Sequence, residues 1–558
     1  MAYDMLIKNG TVVDGTGSPG RRADVAVAGG KVVEIGKITD GAKQVIDASD
    51  RVVAPGFVDP HTHYDAQICW DPAITPSSWH GVTSVVMGNC GVGIAPCKPA
   101  SREVAMHDLV SVEGIPFEVL DKGITWDWES FPEYLDAAAR RGSALNLGFI
   151  APLTPFRHYV MGADSLERAA TPVETAEIRR LLAEAVNAGA FGFSTSNMNQ
   201  HLGYGAKPLA CRNASFDEFR AYASVLKETG KGAIEIALNK QISVLSDEEY
   251  ALLDLLVTES ARPVTYLALL YRDDMPDACR DSLRKAAPLL KRGVLPQVTP
   301  MPLTREVGMR NPFSFASFPC WARVFADKSK PAQAAVYRDP AFRNQFREEL
   351  KRPMAFGGDW SRMFVLEVNN PAMKKLEGRT VADIAKERGK DGVDTLCDLA
   401  LEDDLDIMFT LLFLNVTESA VPELINNPNT LIGLSDGGAH VDMTCDAGYC
   451  TYMLGKWVRE RQVMTLEQAV HRLTAQPADM FGIKDRGRLK VGHAADIVVF
   501  DPATIGSSDH ATRQFDLPGG GKRMIVQSRG VDRTIVNGQT IWADGALTGA
   551  MPGQVLRS

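Results

Sequence analysis

The texture of hydrophobic and polar positions changes twice along the 558-residue chain. Over the first 50 residues apolar clusters are short: Met5 to Ile7, Val12-Val13, Asp24 to Val27 and Val32 to Ile35. Lys8-Asn9-Gly10, Asp14-Gly15-Thr16-Gly17 and Gly29-Gly30 separate them. Glycine and asparagine reach the backbone conformations that tight turns need, so this texture predicts short strands joined by turns. The last 70 residues repeat it in Ala495 to Phe500, Val531 to Val536 and Gln539 to Ala543, with Asn537-Gly538 as a hairpin turn. The two ends, 1–54 and 481–558, therefore read as halves of one small β-domain.

Residues 55–480 alternate on a longer period. Short apolar pieces (Ser84 to Met87, Leu145 to Ile150, Ala190 to Ser194, Ala233 to Ala237, Val264 to Leu270, Leu431 to Leu434) are separated by helical stretches. The helices are expected over Pro172 to Ala188, Phe216 to Thr229, Asp247 to Thr258 and Leu466 to Thr474. Thr171 before Pro172 is an N-cap followed by proline at the first helical position. Strands alternating with helices predict a parallel sheet, numerous enough for a closed α/β structure, a (β/α)8 TIM-like barrel. Residues 302–353 break the rhythm with Asn311-Pro312-Phe313-Ser314-Phe315 and a charged helix after Asp339, and read as an insertion over the barrel mouth.

In a βα barrel the reactive groups collect where strands end. The β-branched run Val52 to Val58, interrupted by Pro55-Gly56, reads as a buried strand ending at His61 and His63. Residues i and i+2 of a strand face one side, so both imidazoles can reach one divalent metal. Cys90 follows the next strand in the Gly-rich turn Gly88-Asn89-Cys90-Gly91, and Asp436 follows Leu431 to Leu434. Taken singly, each has a plainer reading: polar strand ends, a packing thiol, an Asp-Gly turn. Together they suggest a mouth-facing metal site.

Composition narrows the function class. A net charge of -9 argues against nucleic acid or an anionic membrane as partner. No apolar run reaches 18 residues and the start shows no secretion signal. Nine scattered cysteines without a Cys-x-x-Cys pair fit reduced thiols in a cytoplasm. The expectation is a cytoplasmic enzyme acting on a small molecule, with a homo-oligomer left open.

The chain resembles the amidohydrolase superfamily, in its D-aminoacylase (N-acyl-D-amino-acid deacylase) branch. Ile7 to Gly17, Pro55 to His63, Gly81 to Gly91, Ser435-Asp436-Gly437 and Gly487 to Val498 carry the likeness. The resemblance implies a barrel flanked by a β-sandwich and a zinc-dependent hydrolase of N-acyl or related amide bonds. It implies His61, His63 and Cys90 as metal ligands and Asp436 as the carboxylate that binds metal and handles the proton. The branch carries two further histidines on its fifth and sixth strands. Here those strands, Ala233 to Asn239 and Val264 to Leu269, have none. One zinc per chain is therefore expected, with two arrangements open: four ligands, or three with Asp436 left for proton transfer. A cyclic-amide or lactone hydrolase, a heterocycle deaminase and a non-catalytic binding relative remain as alternatives on the same fold. His201 and His440 are candidates for substrate binding, Glu235 a minor candidate for metal or proton work. His80 reads as packing near the barrel floor; Thr125-Trp126-Asp127-Trp128-Glu129 reads as core packing, with a wall of the substrate cleft as the alternative. No arginine in Gly438 to Asp446 presents itself for a substrate carboxylate, and the next is Arg459.

Overall fold

A computed structural model describes residues 3–558 except 239, 316–317, 353–355 and 509–510. Asn239 and Pro353, which end two expected segments, lie outside the described residues. The strands of the two chain ends pair into one nine-stranded sheet. Its order is Ala546–Leu547, Gln539–Ala543, Val531–Val536, Ile497–Phe500, Val52–Pro55, Tyr3–Val12, Arg21–Ala28, Lys31–Gly36, with Ala42–Asp47 also pairing Tyr3–Val12. Asn537 (φ 47°) and Gly538 (φ 77°) make the hairpin turn in the left-handed conformations such turns require. Lys8-Asn9-Gly10 differs from expectation. Tyr3–Val12 runs through it as one strand, and the register against Arg21–Ala28 shifts between Ile7 and Gly10. A bulge with Asn9 at φ 65° absorbs the extra residue, so pairing continues on both sides.

Val52 to Val58 divides between two sheets. Val52–Pro55 joins the terminal sheet and Phe57–Asp59 a parallel one, with Gly56 as the joint. Only glycine fits there, because a Cβ would lie 2.0 Å from Thr83 Cγ2. Phe57–Asp59, Val82–Met87 and Asn146–Phe149 form a three-stranded parallel sheet. Ala151–Pro152, Gly192–Ser196, Ala233–Ala237, Val264–Leu267, Val294–Val298 and Leu431–Ile432 form a six-stranded one. Only Ile150 separates the two sheets along the chain, and its amide donates to Met87 O (2.9 Å). At the other edge Thr62 bridges Gly437 in parallel, with His63 N donating to Gly437 O (2.7 Å).

The helices between these strands start where the sequence says they should. Thr171, Ser215, Ser246 and Thr465 each accept from the backbone three residues on, and the Glu or Gln there returns a bond to the cap. This reciprocal device satisfies amides that would otherwise lack partners, which is why the start points are sharp. Pro172–Ala188 and Phe216–Thr229 match the expected spans.

Tyr271–Ala278 and Met301–Ala420 form a second compact unit, which contains 302–353 and runs on to Ala420. It holds an antiparallel sheet of Leu303–Gly308, Met408–Leu414 and Met363–Glu367, with Phe315, Trp321, Phe342 and Phe346 in its core. Asp339 caps Pro340–Glu349. Among the described residues no helix is long and apolar enough to cross a membrane.

Candidate metal centre

Beyond Asp59 the chain stays extended but leaves the sheet ladder. His61 N donates to Asp59 Oδ1 (3.2 Å) and Thr62 N to Val86 O (3.1 Å). This alternation sends His61 and His63 to one side, and their Nε2 atoms stand 3.3 Å apart. Cys90 arrives from the end of Val82–Met87 through a turn with Gly88 (φ 87°), Cys90 (φ 58°) and Gly91 (φ 70°) in the left-handed region. Its Sγ lies 3.5 Å from His61 Nε2. Donor atoms of these three buried residues all fall within 4.8 Å of one another. Asp436 also sits at positive φ (44°), held by Ser435 Oγ, which donates to His61 O (3.0 Å) and accepts from Gly437 N (3.0 Å). Asp436 Oδ1 is 3.4 Å from His61 Nε2 and 4.0 Å from His63 Nε2.

Burial sets the charge state of this group. It holds His61 down to about 3 and His63 well below the usual imidazole range, so both present neutral lone pairs at neutral pH. It pushes the Cys90 thiol well up, with Glu235, Glu113 and Asp436 adding to the effect. Asp436 rises to about 6, again through burial. Two imidazole nitrogens and a sulfur thus face one another in a dry site with a carboxylate beside them. That donor set is of the kind divalent zinc takes, and it fits a metal better than it fits a vacant core.

On the strands without histidine, Glu235 points at the same turn. It is fully buried, its Oε2 accepts from Cys90 N (2.7 Å), and its Oε1 has no hydrogen-bond partner. Tyr266, on Val264–Leu267, is buried with its hydroxyl unpartnered. Gln297, on Val294–Val298, brings its amide against His61. His201 bonds Ser196 Oγ through Nδ1 (2.9 Å) and is held down to about 3 by burial, with His440, Arg212 and His61 as the neighbouring groups. His440 sits at φ 48° and its amide donates to Glu113 O. His201 and His440 both bear electrostatically on His63. His80 is spent elsewhere, on Thr451 Oγ1 (2.8 Å) and Val526 O (3.1 Å), and Trp128 packs with its indole N–H on Ile94 O (3.0 Å). Sequence reasoning missed Glu113, the last residue of the helix Arg102–Glu113, whose Oε1 is 3.3 Å from His63 Nδ1. No motif or strand end announces it.

With this geometry in hand, comparison with known proteins is decisive on one point. The amidohydrolase family matches residues 44–542. The chain belongs to the amidohydrolase family. Among characterised amidohydrolases it is 29% identical to a D-aminoacylase of Alcaligenes xylosoxydans xylosoxydans, over 99% of this chain and 97% of that protein. It is also 29% identical to an N-acyl-D-aspartate deacylase of the same organism, over 99% and 95%. A solved D-aminoacylase, studied for one-metal activation and second-metal attenuation at its binuclear centre, superposes with a TM-score of 0.67 at 25% identity, covering both chains fully.

Proposed function

We propose that this amidohydrolase is a metal-dependent deacylase that cleaves the amide of N-acyl-D-amino acids, with His61, His63, Cys90 and Asp436 as its metal site. The convergence of two Nε2 atoms and Sγ in one buried group, with the partly exposed Asp436 Oδ1 3.4 Å from His61 Nε2, carries the reading. The three-stranded and six-stranded parallel sheets are taken as one closed barrel of eight strands, Asn146–Phe149 and Ala151–Pro152 counting as a single strand interrupted at Ile150, and the terminal sheet as part of a flanking β-sandwich. Zinc suits the two imidazoles and the thiol, and the lack of histidine on the two middle strands favours one ion per chain. When bound, a divalent metal polarises the amide carbonyl and makes a neighbouring water more acidic.

The remaining work falls to side chains. Asp436 takes the proton of the attacking water and returns it to the departing amine nitrogen, a role worth about 10²–10⁴-fold in rate. Its elevated pKa keeps it basic at neutral pH yet able to hold the proton briefly. His201, neutral and braced by Ser196, presents an N–H or lone pair to the substrate; His440 faces the same mouth. Arg212 is engaged with the backbone oxygens of Asn199 (3.3 Å) and His201 (3.0 Å), so it braces the loop. The D-amino-acid selectivity comes from the relatives and is the part to test first. N-acyl-D- and N-acyl-L-amino acids, cyclic imides and lactones are offered to zinc-loaded protein, and the freed amine is measured. Release from the D-acyl substrates at least tenfold faster than from the rest supports the reading. Turnover confined to cyclic amides or lactones defeats it.

A further inference from the structure

Two buried polar atoms at the edge of the site have no hydrogen-bond partner, and they face each other. His63 Nδ1 and Glu113 Oε1 are 3.3 Å apart, on side chains 2% and 3% exposed. Buried polar groups are rarely left alone, so this pairing asks for a reason. Glu113 is also tied to the opposite side of the site. Its carbonyl oxygen accepts from His440 N, and a Cβ on Gly114 (φ 62°) would lie 3.3 Å from His440 Nδ1. Further back on the same helix, Asp108 accepts from Tyr204 N (2.9 Å) and bonds His158 Nε2 (2.9 Å). The helix Arg102–Glu113 therefore touches His63 directly, and the loops that carry His440 and His201 through backbone bonds.

We infer that Glu113 is a positioning residue that sets the ring orientation and tautomer of His63 through Nδ1. The inference rests on the metal-site reading above. A neutral imidazole carries one N–H and one lone pair, and whatever bonds one nitrogen decides what the other offers. Nδ1 and Oε1, 3.3 Å apart, are within reach of a hydrogen bond that neither atom makes here; closed from Nδ1–H to the Glu113 oxygen, it would turn the Nε2 lone pair toward His61 Nε2, Cys90 Sγ and Asp436. Without it the ring is free to place its hydrogen on Nε2, aimed at the other donors. Such outer partners typically change metal affinity by about 10–100-fold when removed.

The test uses full-length Glu113→Ala and Glu113→Gln beside the native protein. Zinc affinity, read by competition with a chelator, is expected to fall about 10–100-fold in Glu113→Ala and less in Glu113→Gln, whose amide oxygen can still accept. In metal-free protein carrying ¹⁵N-histidine, the His63 ring nitrogens should report one tautomer in the native chain and a mixture in Glu113→Ala. A merely structural role would not move those resonances. Should Glu113→Ala lose its fold, Glu113→Leu, which fills the space but cannot accept a hydrogen bond, takes its place. Native affinity together with native His63 shifts in the variants overturns the inference. A native protein that takes up no zinc defeats the metal-site reading instead, and the metal-free shifts still decide the role of Glu113.

Discussion

Filling the proposed site should displace a proton from Cys90. Burial and the carboxylates of Glu235, Glu113 and Asp436 keep its thiol protonated beyond neutral pH, whereas His61, at about 3, and His63 carry no proton to lose there. Thiolate is the metal ligand, so zinc uptake between about pH 7 and 9 releases one proton, from sulfur. The expected consequence is an affinity that rises about tenfold per pH unit, about 1.4 kcal/mol each. Below about 6, Asp436 adds a second proton and the slope steepens toward hundredfold per unit. Cys90→Ser removes the titrating sulfur. Its affinity should be lower throughout and nearly flat above about pH 7. The assay is competition of metal-free protein against a chromophoric chelator whose own proton binding is known, in steps across neutral pH. A flat profile in the native chain, or an unchanged slope in Cys90→Ser, refutes the reasoning.

Other expectations follow from the same geometry. Asp436→Asn should lower kcat by about 10²–10⁴-fold while leaving the fold intact, read by steady-state kinetics and circular dichroism; a normal kcat removes its proton role. Asp446, buried and raised from 3.8 to about 7, stabilises the fold fully only below its unfolded pKa and loses that contribution as pH rises through 7. Asp446→Asn should match native stability near pH 3 and exceed it by up to about 4 kcal/mol above pH 7, by urea unfolding. Gly56→Ala, which sets a methyl 2.0 Å from Thr83, should destabilise by at least about 1–3 kcal/mol in the same assay, while zinc-free native protein serves as the reference.

Much of the fold was legible because its signals are local. Thr171-Pro172 announces a helix start that the structure keeps, the span expected over Phe216 to Thr229 is kept too, and Asn537-Gly538 closes the hairpin expected of it. Local signals failed where pairing overrode them: Lys8-Asn9-Gly10 has turn composition, yet strands on both sides hold it as a bulge. The four residues singled out for the site do meet, because each ends a strand or the turn after one. Glu113 was illegible for the converse reason. It ends a helix 23 residues past Cys90, and only the way that helix packs brings it to His63. Glu235 was visible as a charge on a buried strand, but its bond to the Cys90 amide was not. The second unit runs to Ala420 through the return strands Met363–Glu367 and Met408–Leu414, whose partners are distant in sequence and so leave no local signal.

The most direct measurement is anomalous diffraction at the zinc edge from crystals of this protein grown with zinc. One strong peak per chain among His61 Nε2, His63 Nε2, Cys90 Sγ and Asp436 Oδ1 is expected, and Cys90→Ser should weaken it. A peak located elsewhere, or none among these four atoms when the crystals are saturated with zinc, would contradict the account.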